Sequence, residues 1–230
     1  PMHLFVDYDA TNDSRYAQFW SIKDIFDHFN SGIQTKKDDF CIHATLKSLE
    51  KLRLDSESLS LAELRQKYAV EDGKAWRLAD AQSSLITDYN PSPIKYRPFD
   101  SRWTSLCTQS SAFLGRPRYD TMQHLRDGNL GLCFPRQVHE WHGVLVTDTP
   151  IDLHYLCDQT YVAPLYLFGI DEGRKDTNWS PRFKKEWLET LDFTPTPEEV
   201  FACIYAILWS PTYAERYKEQ LRFDFPRIPL

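Results

Sequence analysis

The chain has 230 residues, of which 42% are hydrophobic and 14% aromatic, and this composition excludes a disordered tail. Its net charge of −6 argues against a protein that wraps nucleic acid by bulk charge, although a locally basic face is compatible with it. The sequence shows no apolar run of about 18 residues and no signal-like N-terminus, so no membrane association is expected. Five scattered cysteines without CxxC spacing predict buried thiols in a reducing compartment, and hence a cytoplasmic protein.

The first 90 residues are predicted to be mainly helical. Apolar residues recur at helical spacing in four segments, which are residues 16–29, 46–52, 61–68 and 76–85. Ser60 is an N-cap candidate for the third of them. Residues 4–8 and 40–42 are short strand candidates. The sequence Asn90-Pro91-Ser92-Pro93 is interpreted as a linker, because two closely spaced prolines interrupt regular structure.

A loop with lysines and a glycine is predicted over residues 31–38, Ser-Gly-Ile-Gln-Thr-Lys-Lys-Asp. Backbone N–H groups and lysine charge in such a loop are able to hold a phosphate. The loop lacks the Gly-x-x-x-x-Gly-Lys spacing of a nucleotide-binding loop, so it does not identify a nucleotide site by itself.

The pattern changes from helices to strands at residue 129. The strand candidates are residues 130–134, 143–147, 153–157 and 161–168, and residues 169–182 are predicted to form a connecting loop. Thr196-Pro197-Glu198-Glu199 combines an N-cap, an N1 proline and a capping-box glutamate. The helix that it predicts, residues 200–209, is nearly all apolar and should be buried. A further helix is expected over residues 213–221.

Arginines alternate with aromatic residues and prolines between residues 94 and 142. Residues 91–142 hold seven basic and four acidic side chains, a net charge of +3 within an acidic chain. Guanidinium groups bind phosphates and guanine edges, and aromatic faces stack on bases, so the stretch is typical of nucleic-acid contact. The same residues also fit a structural lattice in which Arg97 pairs with Asp100 and Arg118 with Asp120. Residue types alone leave both interpretations open.

Metal-binding signatures are weak. His139 and His142, with Cys133 or Glu140 as a further ligand, lack a second ligand pair at zinc spacing, so no metal site is predicted. Glu198 and Glu199 begin a helix and need no catalytic explanation.

Signatures of an enzyme are equally weak. Asp148 and Asp152 resemble nuclease carboxylates, but no Glu-x-Lys follows them and turn formation explains them better. Residues 90–93 superficially resemble the catalytic tetrapeptide of amino-methyltransferases, although no glycine-rich cofactor loop accompanies them. We therefore predict no catalytic residue and no cofactor in this chain.

Six motifs occur along the chain in a specific order. They are Tyr96-Arg97-Pro98-Phe99-Asp100-x-Arg102, Gly115-Arg116-Pro117-Arg118-Tyr119-Asp120, Asn129-Leu130-Gly131-Leu132, Pro164-Leu165-Tyr166-Leu167, Ser210-Pro211-Thr212-Tyr213-x-x-Arg216-Tyr217 and Phe223-Asp224-Phe225-Pro226-Arg227-Ile228-Pro229. The series resembles the C-terminal specificity region of single-polypeptide restriction–modification enzymes, of type ISP and the related type IIG group. Ser31-Gly32-Ile33-x-Thr35 with Asp38 is similar to the element that opens this region.

The resemblance implies a target recognition domain that reads an asymmetric DNA sequence. In the family, a nuclease, a helicase-like motor and an adenine methyltransferase in the same polypeptide carry out the chemistry. Motifs of those parts are missing here, which suggests an excised piece or the product of a split or truncated gene. The chain also has Lys36-Lys37 where the family commonly has Gly-Arg. The expected partners are double-stranded DNA and a methyltransferase domain, in the same or a separate polypeptide.

The predicted fold class is α+β. A mainly helical part is expected over residues 1–90, a mixed or antiparallel β-rich part that reads DNA over 91–168, and a C-terminal helical support over 169–230. Phosphate contacts should fix the register of the protein on DNA, while contacts to base edges should provide specificity. The predicted DNA-binding residues are Lys36, Lys37, Arg97, Arg102, Arg116, Arg118, Arg136, His139 and Trp141.

Two alternatives belong to other functional classes. One is a scaffold piece that docks on a methyltransferase without touching DNA, which predicts a large exposed apolar patch. The other is a small metal-dependent nuclease that uses Glu140, Asp148 and Asp152, which predicts clustered carboxylates. The target DNA sequence is not readable from the chain, because loops of this kind follow no residue-to-base code.

Overall fold

The computed structural model describes residues 10–169 and 175–230. The strand predicted over residues 4–8 lies outside the described residues. Within them, helices and antiparallel strands build an α+β fold, so the predicted fold class is confirmed. Among the helices that the structure describes, none has both the length and the apolar character needed to cross a membrane.

The secondary structure consists of short elements. The helices are α1 (Ala10–Ala17), α2 (Ile22–Ile25), α3 (Asp38–Cys41), α4 (Leu46–Ser58), α5 (Leu61–Tyr68), α6 (Leu78–Thr87), α7 (Tyr119–Met122), α8 (Pro181–Glu186), α9 (Pro197–Trp209), α10 (Pro211–Arg216) and α11 (Lys218–Leu221), with a 3₁₀ helix at Leu188–Thr190. The strands are β1 (Trp20–Ser21), β2 (Asn30–Ser31), β3 (Pro91–Arg97), β4 (Asp100–Ser105), β5 (Gly131–Pro135), β6 (Leu145–Thr147), β7 (Thr160–Pro164), β8 (Tyr166–Phe168), β9 (Lys175–Thr177) and β10 (Arg227–Ile228).

The largest sheet of the described residues has the strand order β2-β7-β5-β6, and all its pairings are antiparallel. Three two-stranded pairs accompany it: β1 with β10, β3 with β4, and β8 with β9. The β1–β10 pair joins the two ends of the described chain, with Trp20 opposite Ile228.

Two hydrophobic clusters lie on opposite faces of the central strands. Cys133 and Val162 belong to the cluster that includes α4, α5, α6 and the β3–β4 hairpin. Their neighbours Leu132, Phe134 and Ala163 belong to the cluster that includes α8, α9 and α10. Because successive strand residues point to opposite faces, β5 and β7 lie between the two clusters. This explains why every residue of β5 is buried.

A buried asparagine joins the first segment of the chain to the sheet. The Asn178 side chain is fully buried. Its amide donates to the carbonyls of His28 at 2.6 Å and Pro164 at 2.7 Å, and its oxygen accepts from the His28 N–H at 2.8 Å. An amide with these bonds satisfies buried backbone groups at the end of β7, so its loss would leave them unpaired.

Local signals predicted several helices correctly. Ser60 and Thr196 each form a complete capping box, with Glu63 and Glu199 respectively. Both helices begin where the sequence placed them, since a capping box depends only on residues within one helical turn.

Elements that depend on distant partners were predicted wrongly. The stripe over residues 16–29 is not one helix, because residues 20–21 pair with β10. Residues 40–42 are not a strand, since α3 covers Asp38–Cys41. Residues 90–93 are not a linker, since residues 91–93 are the first three residues of β3, and a proline is tolerated at the start of an edge strand.

Three predictions in the second half of the chain also need correction. Residues 153–157 form turns, in which the Thr160 hydroxyl accepts from the Leu156 N–H at 2.8 Å. The segment predicted as a connecting loop contains β9. Helix α9 buries one face only, since Val200, Phe201, Ile204 and Leu208 are buried whereas Trp209 is 45% exposed.

The buried face of α9 makes a direct prediction about stability. Ile204 is fully buried, so Ile204→Ala should lower the free energy of unfolding by about 2–5 kcal/mol. The neighbouring Cys203 is exposed, and Cys203→Ala should change it by less than about 0.5 kcal/mol. Urea unfolding of both variants measures the difference. Equal effects of the two substitutions would contradict the assignment of the buried face.

Candidate nucleic-acid interface

The loop after β2 is joined to the loop that precedes α7. The Gln34 N–H donates to the Arg116 carbonyl at 3.0 Å, and the Arg116 N–H donates back to Gln34 at 2.8 Å. The Gly115 N–H donates to the Thr35 carbonyl at 3.1 Å. A Cβ atom on Gly115 would lie 2.4 Å from Cγ of Lys36, so only glycine leaves room for the lysine stem here. Backbone bonds therefore hold Lys36 and Arg116 side by side.

These two loops present four basic residues, which we call the lysine–arginine patch: Lys36, Lys37, Arg116 and Arg118. None of the four forms an ion pair with any residue that the structure describes. Lys36 and Arg116 are exposed, and the other two are half-buried. The Nε atom of Arg118 is buried without a hydrogen-bond partner among the described residues. The patch therefore carries positive charge that forms no ion pair with the described residues, within an acidic chain.

The alternative pairing of Arg118 with Asp120 is not formed. The Asp120 carboxylate accepts from the Asn30 side chain at 3.4 Å instead. Arg118 lies in the left-handed region with φ 53°, as Lys36 does with φ 68°. This conformation is unfavourable for residues with a long side chain, so the surrounding contacts must impose it.

A tyrosine in the β3–β4 hairpin lies between two arginines. The Cζ atoms of Arg97 and Arg102 are 3.9 Å and 4.5 Å from the centre of the Tyr96 ring, within the range of cation–π attraction. The Tyr96 hydroxyl donates to Asp38 at 2.8 Å, and Asp38 also accepts from the Thr35 hydroxyl. Burial and the bond to Asp38 raise the pKa of Tyr96. These contacts connect the hairpin to the loop that carries Lys36 and Lys37.

Both arginines of the hairpin have carboxylate partners. Arg97 Nη1 lies 2.6 Å from Asp152 Oδ1, and Arg102 contacts Asp100 through Nε at 3.0 Å and Nη2 at 2.9 Å. The Asp152 side chain is only 4% exposed, whereas that of Asp100 is 38% exposed. Neither pair of the arginine–aspartate lattice that the sequence left open is formed: Arg97 pairs with Asp152, Asp100 pairs with Arg102, and Asp120 bonds to Asn30.

The remaining predicted residues lie elsewhere. Arg136 pairs with Asp224 at 3.3 Å and lies 5.5 Å from the Phe225 ring centre. His139 is exposed in an open cleft of about 810 Å³. The indole N–H of Trp141 donates to the Leu208 carbonyl at 3.1 Å, so this polar group is already used within the fold.

The cleft that contains His139 also has residues that the sequence did not single out. They include Gln137, Gln159 and Arg222, which are side chains able to bond to base edges. Their positions in loops far apart in sequence gave no pattern by which to find them. Phe99, at the tip of the hairpin, belongs to the Tyr96–Arg102 motif but was not among the predicted DNA-binding residues.

The carboxylates of the nuclease alternative do not form one site. Asp148 lies 3.8 Å from Lys95, Asp152 is bonded to Arg97, and Glu140 lines the separate cleft with His142 at 4.0 Å. No group of three histidines, cysteines, aspartates or glutamates in the described part of the chain has a geometry suited to a metal ion. The two loops joined through Gln34 and Arg116, in contrast, carry four basic residues.

The sequence profile of the type ISP C-terminal specificity domain matches residues 24–230. This chain belongs to that family. The family predicted from the six motifs is therefore confirmed, and the chain is a specificity domain. A search of curated proteins finds no match.

Solved structures share the fold of this type ISP specificity domain. The DrdV–DNA complex superposes with a TM-score of 0.73 at 23% identity, over 96% of this chain and 24% of that one. The type ISP enzyme LlaBIII bound to DNA superposes with a TM-score of 0.69 at 15% identity, over 94% of this chain and 16% of that one. A nuclease-deletion mutant of the type ISP enzyme LlaGI, in complex with a DNA substrate mimic, has a TM-score of 0.65 at 18% identity, over 95% of this chain and 18% of that one. The chain thus spans a quarter or less of the length of these larger proteins.

The Arg97–Asp152 pair makes a prediction about stability. Arg97→Met removes the charge that compensates a buried carboxylate, so the free energy of unfolding should fall by about 1–3 kcal/mol at neutral pH. Arg102→Met is the matched control, because its partner Asp100 is more exposed, and it should cost less than about 1 kcal/mol. Chemical denaturation of both variants compares the two losses, and a larger loss in Arg102→Met would refute the assignment.

The loss in Arg97→Met should also depend on pH. Burial raises the pKa of the Asp152 carboxyl, and the Arg97 guanidinium opposes this effect. A carboxyl whose pKa is raised in the folded state destabilises the fold once it is ionised. This destabilisation develops as the pH rises from the pKa of aspartate in the unfolded state, about 3.9, through its pKa in the folded state. Without Arg97 the pKa of Asp152 rises further, so the free energy of unfolding of the variant should fall least at acid pH and most at neutral pH. A loss that does not change with pH would contradict this.

Proposed function

We propose that this specificity domain binds double-stranded DNA through the lysine–arginine patch and thereby directs reactions that other domains carry out. The observation that carries the proposal is that four basic residues, on two loops tied by backbone bonds, form no ion pair with the described residues. Phosphate groups are the ligands that such a cluster attracts most strongly. The DNA complexes of DrdV, LlaBIII and LlaGI, which share the fold, support the same ligand.

The predicted residues differ in what they have left to offer DNA. Lys36 and Arg116, exposed and without an ion pair to the described residues, suit direct contact. Arg97 and Arg102 are each bonded to one carboxylate, yet a guanidinium has five N–H donors and keeps some of them free for a phosphate. We assign them to the edge of the same interface.

Arg136 and His139 would contribute a second contact region at the open cleft, where Gln137 and Gln159 also lie. Glutamine and arginine make the bidentate contacts that distinguish adenine and guanine in the major groove. Trp141 is the least suited of the predicted residues, because its N–H donor is bonded to Leu208. Its role in our proposal is to support the loop that carries His139.

The partner of this domain would be a methyltransferase domain, in the same polypeptide or in a separate one. The chain spans 16–24% of the length of the three structures that share its fold, which is the proportion expected of one part of a larger enzyme. Recognition and chemistry would then be divided between domains. We also propose that the chain is divided into a mainly helical part over residues 1–90, a β-rich part that reads DNA over 91–168 and a C-terminal helical support over 169–230.

Arginine substitutions test the proposed DNA surface. A duplex that the domain recovers from a random pool serves as the target, and a scrambled duplex as the comparison. Arg116→Ala should weaken binding to both if Arg116 contacts phosphate, and the slope of log K against log salt should fall by about one unit. If it contacts a base edge, the loss should be about 1–3 kcal/mol on the target alone. Arg118→Ala is tested in the same way.

Arg182→Ala is the matched control, since Arg182 is an exposed arginine on α8 that pairs with Glu186. Fluorescence anisotropy over a range of salt concentrations measures all three variants, with thermal unfolding to verify the fold. Unchanged binding of both Arg116→Ala and Arg118→Ala to both duplexes would reject the lysine–arginine patch as the DNA surface.

The proposed division of labour predicts that the isolated domain has no catalytic activity. Incubation with DNA and S-adenosylmethionine should leave the DNA unmethylated, and incubation with Mg²⁺ should leave it uncut. Tritium transfer and gel electrophoresis measure these outcomes. Methylation or cleavage that co-purifies with the domain, through two chromatographic steps, would show that the chemistry is not carried elsewhere.

A further inference from the structure

The tip of the β3–β4 hairpin carries an aromatic side chain that contributes nothing to the core. Phe99 is 104% exposed, whereas the phenylalanines at positions 113, 134 and 183 are fully buried. A phenylalanine in water forgoes one of the largest hydrophobic contributions that a side chain makes to stability. Packing within the described residues therefore does not explain why a phenylalanine stands here.

The backbone at this position does not favour a phenylalanine either. Pro98 and Phe99 are the two residues between β3 and β4, and Phe99 has φ 63°. A turn with proline first and a positive φ second is normally completed by glycine or asparagine, since a Cβ is strained there. A bulky residue in this conformation is an outlier, and such outliers cluster at functional sites.

The hairpin beneath the tip is firmly held. The Lys95 N–H donates to Pro150 at 2.9 Å, and the Asp152 N–H donates to Lys95 at 2.9 Å. On the other strand, Trp103 and His43 exchange two backbone bonds of 2.7 and 2.8 Å. The position of Phe99 is thus fixed from both strands, which reduces the entropy lost when the tip inserts into a partner.

The hairpin that carries the exposed ring also carries three basic residues. Lys95, Arg97 and Arg102 lie on the two strands of the hairpin, and their side chains are 30%, 37% and 38% exposed. Through Tyr96 and Asp38 the hairpin is also bonded to the loop that carries two members of the lysine–arginine patch. An aromatic ring on a hairpin that also carries basic residues suits a base step beside phosphates.

We propose that Phe99 is an apolar wedge that the hairpin inserts between base pairs of the bound duplex, partly unstacking one step. This inference rests on the proposed function, since it takes DNA as the ligand. DNA-bending proteins use phenylalanine in this manner, next to basic residues that hold the adjoining backbone. The wedge explains both unfavourable features of Phe99, its exposure and its positive φ.

Substitutions at the tip separate this role from a structural one. Phe99→Gly and Phe99→Asn both accept the positive φ, so neither should lower the melting temperature, but both remove the wedge. Phe99→Leu keeps an apolar wedge. On the recovered duplex, the Gly and Asn variants should bind about tenfold more weakly or worse, and Phe99→Leu should restore most of the loss. Phe193→Ala, at a phenylalanine that is 66% exposed elsewhere, should bind as the parent does.

A second readout follows the base stack directly. The recovered duplex is prepared with 2-aminopurine at each adenine position in turn, since its fluorescence rises when it unstacks. Binding of the parent should raise the fluorescence at one step, and the Gly and Asn variants should abolish that rise. If the parent binds and these variants match it in affinity and fluorescence, the wedge is refuted. If the parent binds no duplex, the proposed function falls and this inference with it.

Discussion

The segment 150–153 lies between two parts of the chain that are distant in sequence, and both bond to it. Ile33 donates to Ile151 and accepts from Leu153, while Lys95 donates to Pro150 and accepts from Asp152. Gly32 is required here, because a Cβ would lie 2.4 Å from the Asp152 carbonyl oxygen. The carboxylate of Asp152 then fixes Arg97. The relative placement of the lysine–arginine patch and the hairpin therefore depends on this junction.

Basic residues around this junction divide into two kinds, and the division gives the domain its proposed chemistry. Arg97 and Arg102 have carboxylate partners and hold the Tyr96 ring between them. Lys36 and Arg116 have exposed side chains and no ion pair within the described residues. Paired arginines give the surface a fixed shape, while unpaired cations retain their charge for a phosphate backbone. A recognition domain needs both properties, because register and specificity depend on a rigid surface.

The sequence predicted features whose causes are local and missed those whose causes are distant. The capping boxes at Ser60 and Thr196, and the family motifs, were readable because neighbouring residues define them. The break after α1 was not predictable from neighbouring residues, because it depends on the pairing of Trp20 with Ile228 near the other end of the chain. For the same reason the sequence left open whether Arg118 pairs with Asp120 or contacts nucleic acid, and only the fold shows that Asp120 bonds to Asn30 instead.

Hydrogen–deuterium exchange of the domain, free and bound to its recovered duplex, tests the DNA surface most directly. We expect slower exchange on binding in residues 33–37, 95–103 and 115–119, since the first two segments bond to residues 150–153 and the third bonds to Gln34 and Thr35. The exposed face of α9 should exchange at an unchanged rate. Protection confined to α8, α9 and α10, with none in these three segments, would contradict the proposed DNA surface. It would place the DNA on the side of the opposite hydrophobic cluster.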